Sequence, residues 1–412
     1  MSSETLDRNA PVIVVGAGQA GFTVCSKLRD LGHSGPISLI GDEEQPPYQR
    51  PPLSKGYLLG EMTQERMLFR PLAFYDQKEI QLKLGTRVEH IDRNRREVRL
   101  GDGSVLPYGY LVLATGSRPR VLNKDQGGAL DGIYYVRSMA DTNKMAPEFK
   151  PGRHVLVIGG GYIGLEAAAV SAKLGLRVTL IESAPRILQR VASTETACFF
   201  RDLHRNHAVD IREGVEFATL TGQDGRVTHA HMKDGSVLAV DFVIVGIGIH
   251  PNTELAQEAG LEIENGIKVD ANCRTSDPFI LAAGDCASFP WKGNRIRLES
   301  VGNAIDQGEA AARTIVQASD GYKAKPWFWS DQFDIKLQIV GLAGGHDSAV
   351  TRRLSQNALS IWYYRGEELL AVDAINQPAA YMVAKRLIEA GKSPEPKAVA
   401  DLDVDLKSLL HS

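Results

Sequence analysis

Apolar positions along the chain fall into two repeating patterns. Short, predominantly apolar runs of four or five residues occur at Pro11 to Val15, Ile37 to Ile40, Tyr110 to Leu113, Val155 to Ile158 and Arg177 to Ile181, broken only by Ser38, Arg177 and Thr179. Near-continuous runs of that length, bounded by glycine, are the mark of strands buried on both faces of a parallel sheet. Between them lie stretches with helical spacing: Ala20, Val24, Leu28 and Leu31 before Gly32, and Ala167, Ala168, Val170, Ser171 and Leu174 before Gly175. Strand and helix therefore alternate, which predicts an α/β fold. Residues 80 to 116 read as a run of strands, Asp241 to Gly248 and Thr275 to Asp285 as two more apolar strands. From about Lys325 the pattern changes. Alternating strands at Ile335 to Val340 and Leu359 to Tyr364 are followed by a helix through Asn376 to Ala390, which predicts a C-terminal α+β domain at 326–412.

The first strand runs into Gly16, Gly18 and Gly21, and the strand from Val155 runs into Gly159, Gly161 and Gly164. In a nucleotide-binding βαβ unit the first glycine makes the turn, the second admits a pyrophosphate, and the third lets helix and strand pack closely. The helix N-terminus then offers unpaired N–H groups to the anion. Each copy has an acid about 20 residues further on, Asp42 and Glu182, where a carboxylate hydrogen-bonds an adenosine ribose. One such motif is weak evidence; two with the right surroundings predict two dinucleotides on one chain. A carboxylate at 182 favours NADH over NADPH, although Arg186 and Arg190 follow, and an arginine there is what accommodates a 2'-phosphate.

Composition narrows the class. The 412 residues, 43% hydrophobic and 24% charged, suit a globular protein of two or three domains, and a net charge of −3 gives no reason to expect nucleic acid or an anionic membrane as partner. No apolar run approaches the roughly 20 residues of a membrane span. Met1 to Arg8 lacks the basic and apolar regions of a secretory signal, so a cytoplasmic location is expected. Cys25, Cys198, Cys273 and Cys286 are scattered, which argues against a redox disulfide and against a local metal site; no metal is expected.

The segment Pro46 to Lys55 is dense in proline and contains Arg50-Pro51-Pro52-Leu53-Ser54-Lys55. With the two glycine motifs it resembles the FAD- and NADH-dependent reductases that feed 2Fe-2S ferredoxins, of the putidaredoxin reductase and biphenyl-dioxygenase ferredoxin reductase type. Further matches are Ala114-Thr115-Gly116 with Pro119-Arg120, the Gly284-Asp285 pair, and the segment Glu299 to Gln307, where Val301 replaces the tryptophan of some relatives. The resemblance implies two Rossmann-like domains of glutathione reductase type, with FAD bound by 1–120 and 250–325 and NADH by 121–249. It implies FAD contacts from Gly16, Gly18, Gly21, Asp42, Arg50, Lys55, Val88, Thr115, Gly116, Arg120, Asp285 and Val301. For NADH it implies Gly159, Gly161, Gly164, Glu166, Glu182, Arg190 and Gly248. Glu166 is expected to reach the nicotinamide carboxamide and to pair with Lys55 beside the flavin, making these two the catalytic residues; the ordinary alternative for Glu166 is an acid favoured by the helix dipole. Trp329, in Trp329-Ser330-Asp331-Gln332, is expected near the electron exit. Clusters such as Arg66 with Arg70, Arg93 with Arg95 and Arg96, Arg352 with Arg353, and Lys385 with Arg386 could steer an acidic ferredoxin, and Arg66 and Arg70 are retained as contacts. The expected function is transfer of electrons from NADH through FAD to a 2Fe-2S ferredoxin serving an oxygenase. A redox-responsive interaction protein like apoptosis-inducing factor, or an NADH oxidase using a reactive Cys286, are the alternatives.

Overall fold

The computed structural model describes residues 9–411, so Met1 to Arg8 lies outside the described residues. Two units are distinguished. The first comprises the chain to Gln49, Gln64–Arg118 and His250–Pro326; the second comprises Arg50–Thr63, Pro119–Ile249 and the chain from Trp327.

In the first unit a five-stranded sheet has the order Ile280–Ala282, Tyr110–Leu113, Val12–Val15, Ile37–Ile40, Ile80–Lys83, and all neighbours are parallel. Every residue of Val12–Val15, Tyr110–Leu113 and Ile280–Ala282 is buried, which is why these strands lack the alternation of a half-exposed sheet. The helices Gln19–Asp30 and Val301–Ile315 pack together through Val24, Leu28, Ala304, Ala311 and Ile315. Their backbones come so close that a Cβ on Gly308 would lie 2.9 Å from the Ala20 carbonyl oxygen. Of the expected run of strands between 80 and 116, three form a separate antiparallel sheet: Val88–Asp92, Glu97–Leu100 and Val105–Pro107.

The second unit repeats the plan. Its sheet has the order Val209–Glu213, Arg177–Glu182, His154–Ile158, Phe242–Val245, Ile133–Tyr134, again parallel. A C-terminal antiparallel sheet joins it, in the order Trp327–Gln332, Ile335–Gly341, Glu368–Ile375, Ala358–Arg365, Ser348–Ser355. The helix Pro378–Glu389 covers one face through Ala380, Val383, Ala384 and Leu387. The other face is continuous with the parallel sheet's core: one buried cluster includes Val157, Leu165 and Phe200 together with Ile335, Leu337, Ile361 and Tyr363. Strand Trp327–Gln332 is thereby set against the helix Tyr162–Lys173.

Candidate functional site

Both glycine turns have the geometry that a pyrophosphate requires. Gly16 and Gly159 have φ of +112° and +110°. A side chain at Gly16 would meet the Ala114 carbonyl oxygen at 2.1 Å, and one at Gly159 the Gly246 carbonyl oxygen at 2.3 Å. Gly21 and Gly164 sit where a Cβ would lie 1.9 and 2.0 Å from the carbonyl oxygens of Gly16 and Gly159, which is the helix-to-strand contact. A Cβ at Gly18 or Gly161 would meet nothing within 4 Å. Each is the N-cap of a 12-residue helix with no side-chain cap, so open space faces uncapped N–H groups. These features fit a dinucleotide at each turn.

The acids differ between the copies. Glu182 ends its strand and is clamped by backbone: its Oε2 accepts the Gly160 N–H at 2.7 Å and its Oε1 the Ala184 N–H at 2.8 Å. In the first copy the sheet register pairs Val15 with Ile40 as it pairs Ile158 with Ile181 in the second, so Gly41 corresponds to Glu182. Asp42 is one residue later and exposed. A Cβ on Gly41 would come within 2.6 Å of the Ala17 Cβ, whereas Gly160 leaves that space for Glu182. Arg186 closes its own loop, donating to the carbonyl oxygens of Ala192 and Ser193 at 2.9 and 3.1 Å, while Arg190 is exposed.

Other predicted residues are distributed as follows. In the first unit Thr115 Oγ donates to the Asn252 carbonyl at 2.7 Å, Asn252 Nδ2 donates back to the Thr115 carbonyl at 2.8 Å, and Asn252 N–H donates to Gly116. The Thr115 hydroxyl thus secures the returning chain. Asp285 Oδ2 accepts the Ser117 hydroxyl at 2.9 Å, and Gln307 Oε1 accepts the Gly284 N–H at 2.8 Å, so the turn before Asp285 is pinned from the helix Val301–Ile315. Val301 opens that helix, capped by Ser300. Val88 is a core side chain with Val98 and Leu100, which leaves only its backbone for a ligand. Asn252, Ser117 and Gln307 were not singled out from the sequence; Gln307 alone carried a signal, as the last residue of the matched Glu299 to Gln307 segment.

In the second unit Arg120 falls beside Gly248, its N–H donating to the Gly248 carbonyl at 2.9 Å. A Cβ on Gly248 would lie 3.6 Å from Arg190 and 3.7 Å from Arg120. Placement therefore sets Arg120 beside Gly248, with Arg190 close by. Arg50 Nη1 donates to the Arg137 carbonyl at 2.7 Å. Lys55 and Glu166 do meet, with Nζ 3.0 Å from Oε1. Glu166 is buried on the helix Tyr162–Lys173, and its carboxylate also accepts from Ser54 Oγ at 2.9 Å and Ser330 Oγ at 2.6 Å; Asp331 lies 3.5 Å from Lys55. Burial pushes the Glu166 carboxyl up, and Lys55, Ser330 and Ser54 pull it back. Ser54, Ser330 and Asp331 were missed as members of this cluster, because only the fold brings residues so distant in sequence together.

One expectation about charge needs correction. Arg352 is buried and donates to the carbonyls of Val399, Asp401, Leu402 and Val404, so it holds the C-terminal segment instead of facing a partner. Arg93 pairs with Asp277 at 2.9 Å and Arg96 lies over the Phe279 ring, whereas Arg66 and Arg70 are exposed. Trp329 is half-buried and stacks on Trp327. All four cysteines are free. Cys286 is fully buried, its thiol pushed up by burial and donating to the Leu113 and Ala283 carbonyls, an inert setting.

Comparison with known proteins agrees with this geometry. The pyridine nucleotide-disulphide oxidoreductase pattern matches residues 10–308, and a reductase C-terminal pattern matches 327–410. The chain is 44% identical over 409 residues to a ferredoxin–NAD(P)(+) reductase of Sphingomonas sp., covering 98% of both chains. It is 41% identical over 413 residues to putidaredoxin reductase of Pseudomonas putida, again covering 98% of both. Among solved structures, the covalent putidaredoxin reductase–putidaredoxin complex matches with a TM-score of 0.95 at 40% identity, covering 98% of this chain and 99% of that one. A ferredoxin reductase for the CYP199A2 system from Rhodopseudomonas palustris matches with a TM-score of 0.94 at 40% identity, over 97% of this chain and 99% of that one. The chain belongs to the pyridine nucleotide-disulphide oxidoreductase family.

Proposed function

We propose that the protein is an FAD-dependent NADH:ferredoxin reductase that supplies a 2Fe-2S ferredoxin of an oxygenase system. The observation that carries this is the pair of glycine cradles, each walled by a carbonyl oxygen and open at its middle glycine, with the half-buried Lys55 paired to the buried Glu166 in the unit that holds the second. FAD, when bound, accepts two electrons from NADH and releases them singly, chemistry that belongs to the cofactor and needs no protein base in the first step.

The chain's own residues bind and orient. The FAD-binding domain is 1–120 with 250–325, where Gly16, Gly18, Gly21, Asp42, Thr115, Gly116, Asp285 and Val301 are proposed contacts. The NADH-binding domain is 121–249, with Gly159, Gly161, Gly164, Glu182, Arg190 and Gly248. Glu182 accepts the ribose hydroxyls and repels a 2'-phosphate, and the engagement of Arg186 with its own loop supports NADH. Placement beside Gly248 supports assigning Arg120 to the NADH side as well. Glu166 has three donors on a carboxylate with about four acceptor sites, so it retains capacity for the nicotinamide carboxamide. Lys55 holds that carboxylate and contributes positive charge. Arg66, Arg70 and Trp329 are the proposed ferredoxin contacts.

The buried Cys286 disfavours a thiol-dependent NADH oxidase. Among the described residues no helix is long and apolar enough to cross a membrane; four free thiols support a cytoplasmic location. The test is anaerobic: NADH is expected to bleach the flavin, and an added 2Fe-2S ferredoxin to be reduced in turn. Bleaching without ferredoxin reduction faster than that of oxygen would refute the reading.

A further inference from the structure

We propose that strand Trp327–Gln332 of the C-terminal domain fixes Glu166 as a hydrogen-bond acceptor through a one-way chain from His204 to Gln332 to Ser330 to Glu166, which makes that domain part of the nicotinamide site. The inference rests on the reading of Glu166 as the carboxamide acceptor.

Direction in the chain follows from its last member. Glu166 Oε1 lies 2.6 Å from Ser330 Oγ. A carboxylate held by Lys55 only accepts, so the Ser330 hydroxyl must donate to it. That hydroxyl has one proton, and its oxygen must then receive from its other neighbour, Gln332 Nε2 at 3.1 Å. The amide orientation this demands turns Gln332 Oε1 toward His204, whose Nε2 is 2.8 Å away and must therefore carry the ring proton. Nδ1 is left unprotonated, and it is the ring nitrogen that is buried with no partner, the less costly of the two to leave alone. Burial pushes His204 down to about 4, so the ring is neutral at physiological pH and supplies a single proton in a single direction.

All four side chains are buried: Glu166, His204, Ser330 and Gln332 have exposures of 6%, 0%, 0% and 1%. None of the four is open to bulk solvent. The charged and titratable groups facing Glu166 are Lys55 from the proline-rich loop and Asp331 from the strand, the latter also 3.8 Å from Lys336. His204 faces His207, which stacks on Phe333. Gln332 and His204 thus act on Glu166 through Ser330 and are positioning residues.

Two substitutions break the chain differently. Ser330→Ala deletes the donor with little change of volume. Gln332→Met is close in size but removes the amide, so the Ser330 hydroxyl loses the donor that orients it toward Glu166. Each should raise the pH at which Glu166 takes up a proton. In the FAD-loaded enzyme the acid limb of NADH-dependent flavin reduction is expected to move up by about one pH unit, a tenfold loss on that limb, for a lost hydrogen bond to a charged group. The infrared band of a protonated buried carboxyl, assigned by its absence in Glu166→Gln, should show the same displaced midpoint without turnover. Acid limbs and band midpoints that superimpose on the wild type in both variants would overturn the chain. If the acid limb persists in Glu166→Gln, the reading of Glu166 itself fails, and the chain's role at the nicotinamide fails with it; if Glu166→Gln removes the limb while the other variants do not move it, only the chain fails.

Discussion

Replacing Glu182 by glutamine separates its two roles. The amide oxygen can still accept the Gly160 N–H, which Glu182 receives at 2.7 Å, so the glycine turn should keep its shape, while the amide nitrogen cannot accept the Ala184 N–H that Oε1 receives at 2.8 Å. Besides that one backbone bond, what is lost is the negative charge. A unit charge in hydrogen-bonding reach, at about 4 Å, interacts with another by about 4 kcal/mol at an effective dielectric of about 20. Glu182 is only half-buried, and solvent screening reduces this to about 2 kcal/mol. That is the repulsion NADPH should escape in Glu182→Gln, about 30-fold in relative kcat/KM. NADH should lose affinity at the same time, because a ribose hydroxyl donates less strongly to an amide than to a carboxylate, by about 1 kcal/mol or fivefold in KM. The assay is steady-state ferredoxin-linked turnover with each nucleotide, at low and high salt. Expected is a rise in the NADPH-to-NADH ratio that shrinks in high salt. A ratio within twofold of the wild type at low salt would show that Glu182 does not face the adenosine ribose.

Three further outcomes follow from other parts of the chain. Gly164→Ala places a Cβ 2.0 Å from a backbone oxygen and should abolish NADH-driven bleaching of the flavin, whereas Gly161→Ala, which meets nothing within 4 Å, should give folded protein with a raised KM for NADH; equal effects would refute the division between packing glycine and ligand-facing glycine. Arg352→Ala strips four carbonyls of their buried donor and should cost about 3 kcal/mol, read as a fall of several degrees in Tm with ferredoxin turnover retained at low temperature; lost turnover with unchanged Tm would restore Arg352 to a docking role. Asp373 is fully buried, accepting from Thr196 and Tyr363 at 2.6 Å each, and burial raises its carboxyl from 3.8 to about 6. The unfolded chain releases that proton first, so stability falls as pH rises from about 4 to about 6, by about 3 kcal/mol at most, and is level above; Asp373→Asn should melt higher than the wild type at pH 7.5 and converge with it near pH 4, and a variant less stable at pH 7.5 would refute the sign.

What was legible in the sequence was what is local. A buried parallel strand, a glycine turn, a helix and an acid lie within 30 residues of one another, and each is forced by backbone sterics that leave a signature in residue type. Both cradles could therefore be located, and the five-stranded sheets follow from the same runs. Counting residues could not resolve one place, and that place matters: Asp42 and Glu182 stand at similar distances from their glycines, yet by register the counterpart of Glu182 in the first copy is Gly41. The exchange is steric, since Ala17 fills in one copy the space that Gly160 leaves for a carboxylate in the other. Arg352 was misread for a related reason. Next to Arg353 on an alternating strand it has the pattern of a solvated face, and nothing nearby signals that the carbonyls of 399–404 will arrive to bury it.

The surroundings of Glu166 were legible only at one end. A resemblance joined it to Lys55, but Ser330 and Gln332 lie more than 150 residues away, in a stretch that the resemblance set near the flavin and the electron exit without joining it to Glu166. They become neighbours because the C-terminal sheet shares a hydrophobic core with the nucleotide sheet, through Ile335, Leu337 and Tyr363 against Val157, Leu165 and Phe200. A domain appended only to recruit a partner would need no such shared core and no buried polar chain ending at Glu166. That both are present means that the polar residues of this strand are committed to Glu166, so that, if Glu166 receives the nicotinamide as proposed, a change at Ser330 or Gln332 should register in hydride transfer before it registers in the stability of the C-terminal sheet.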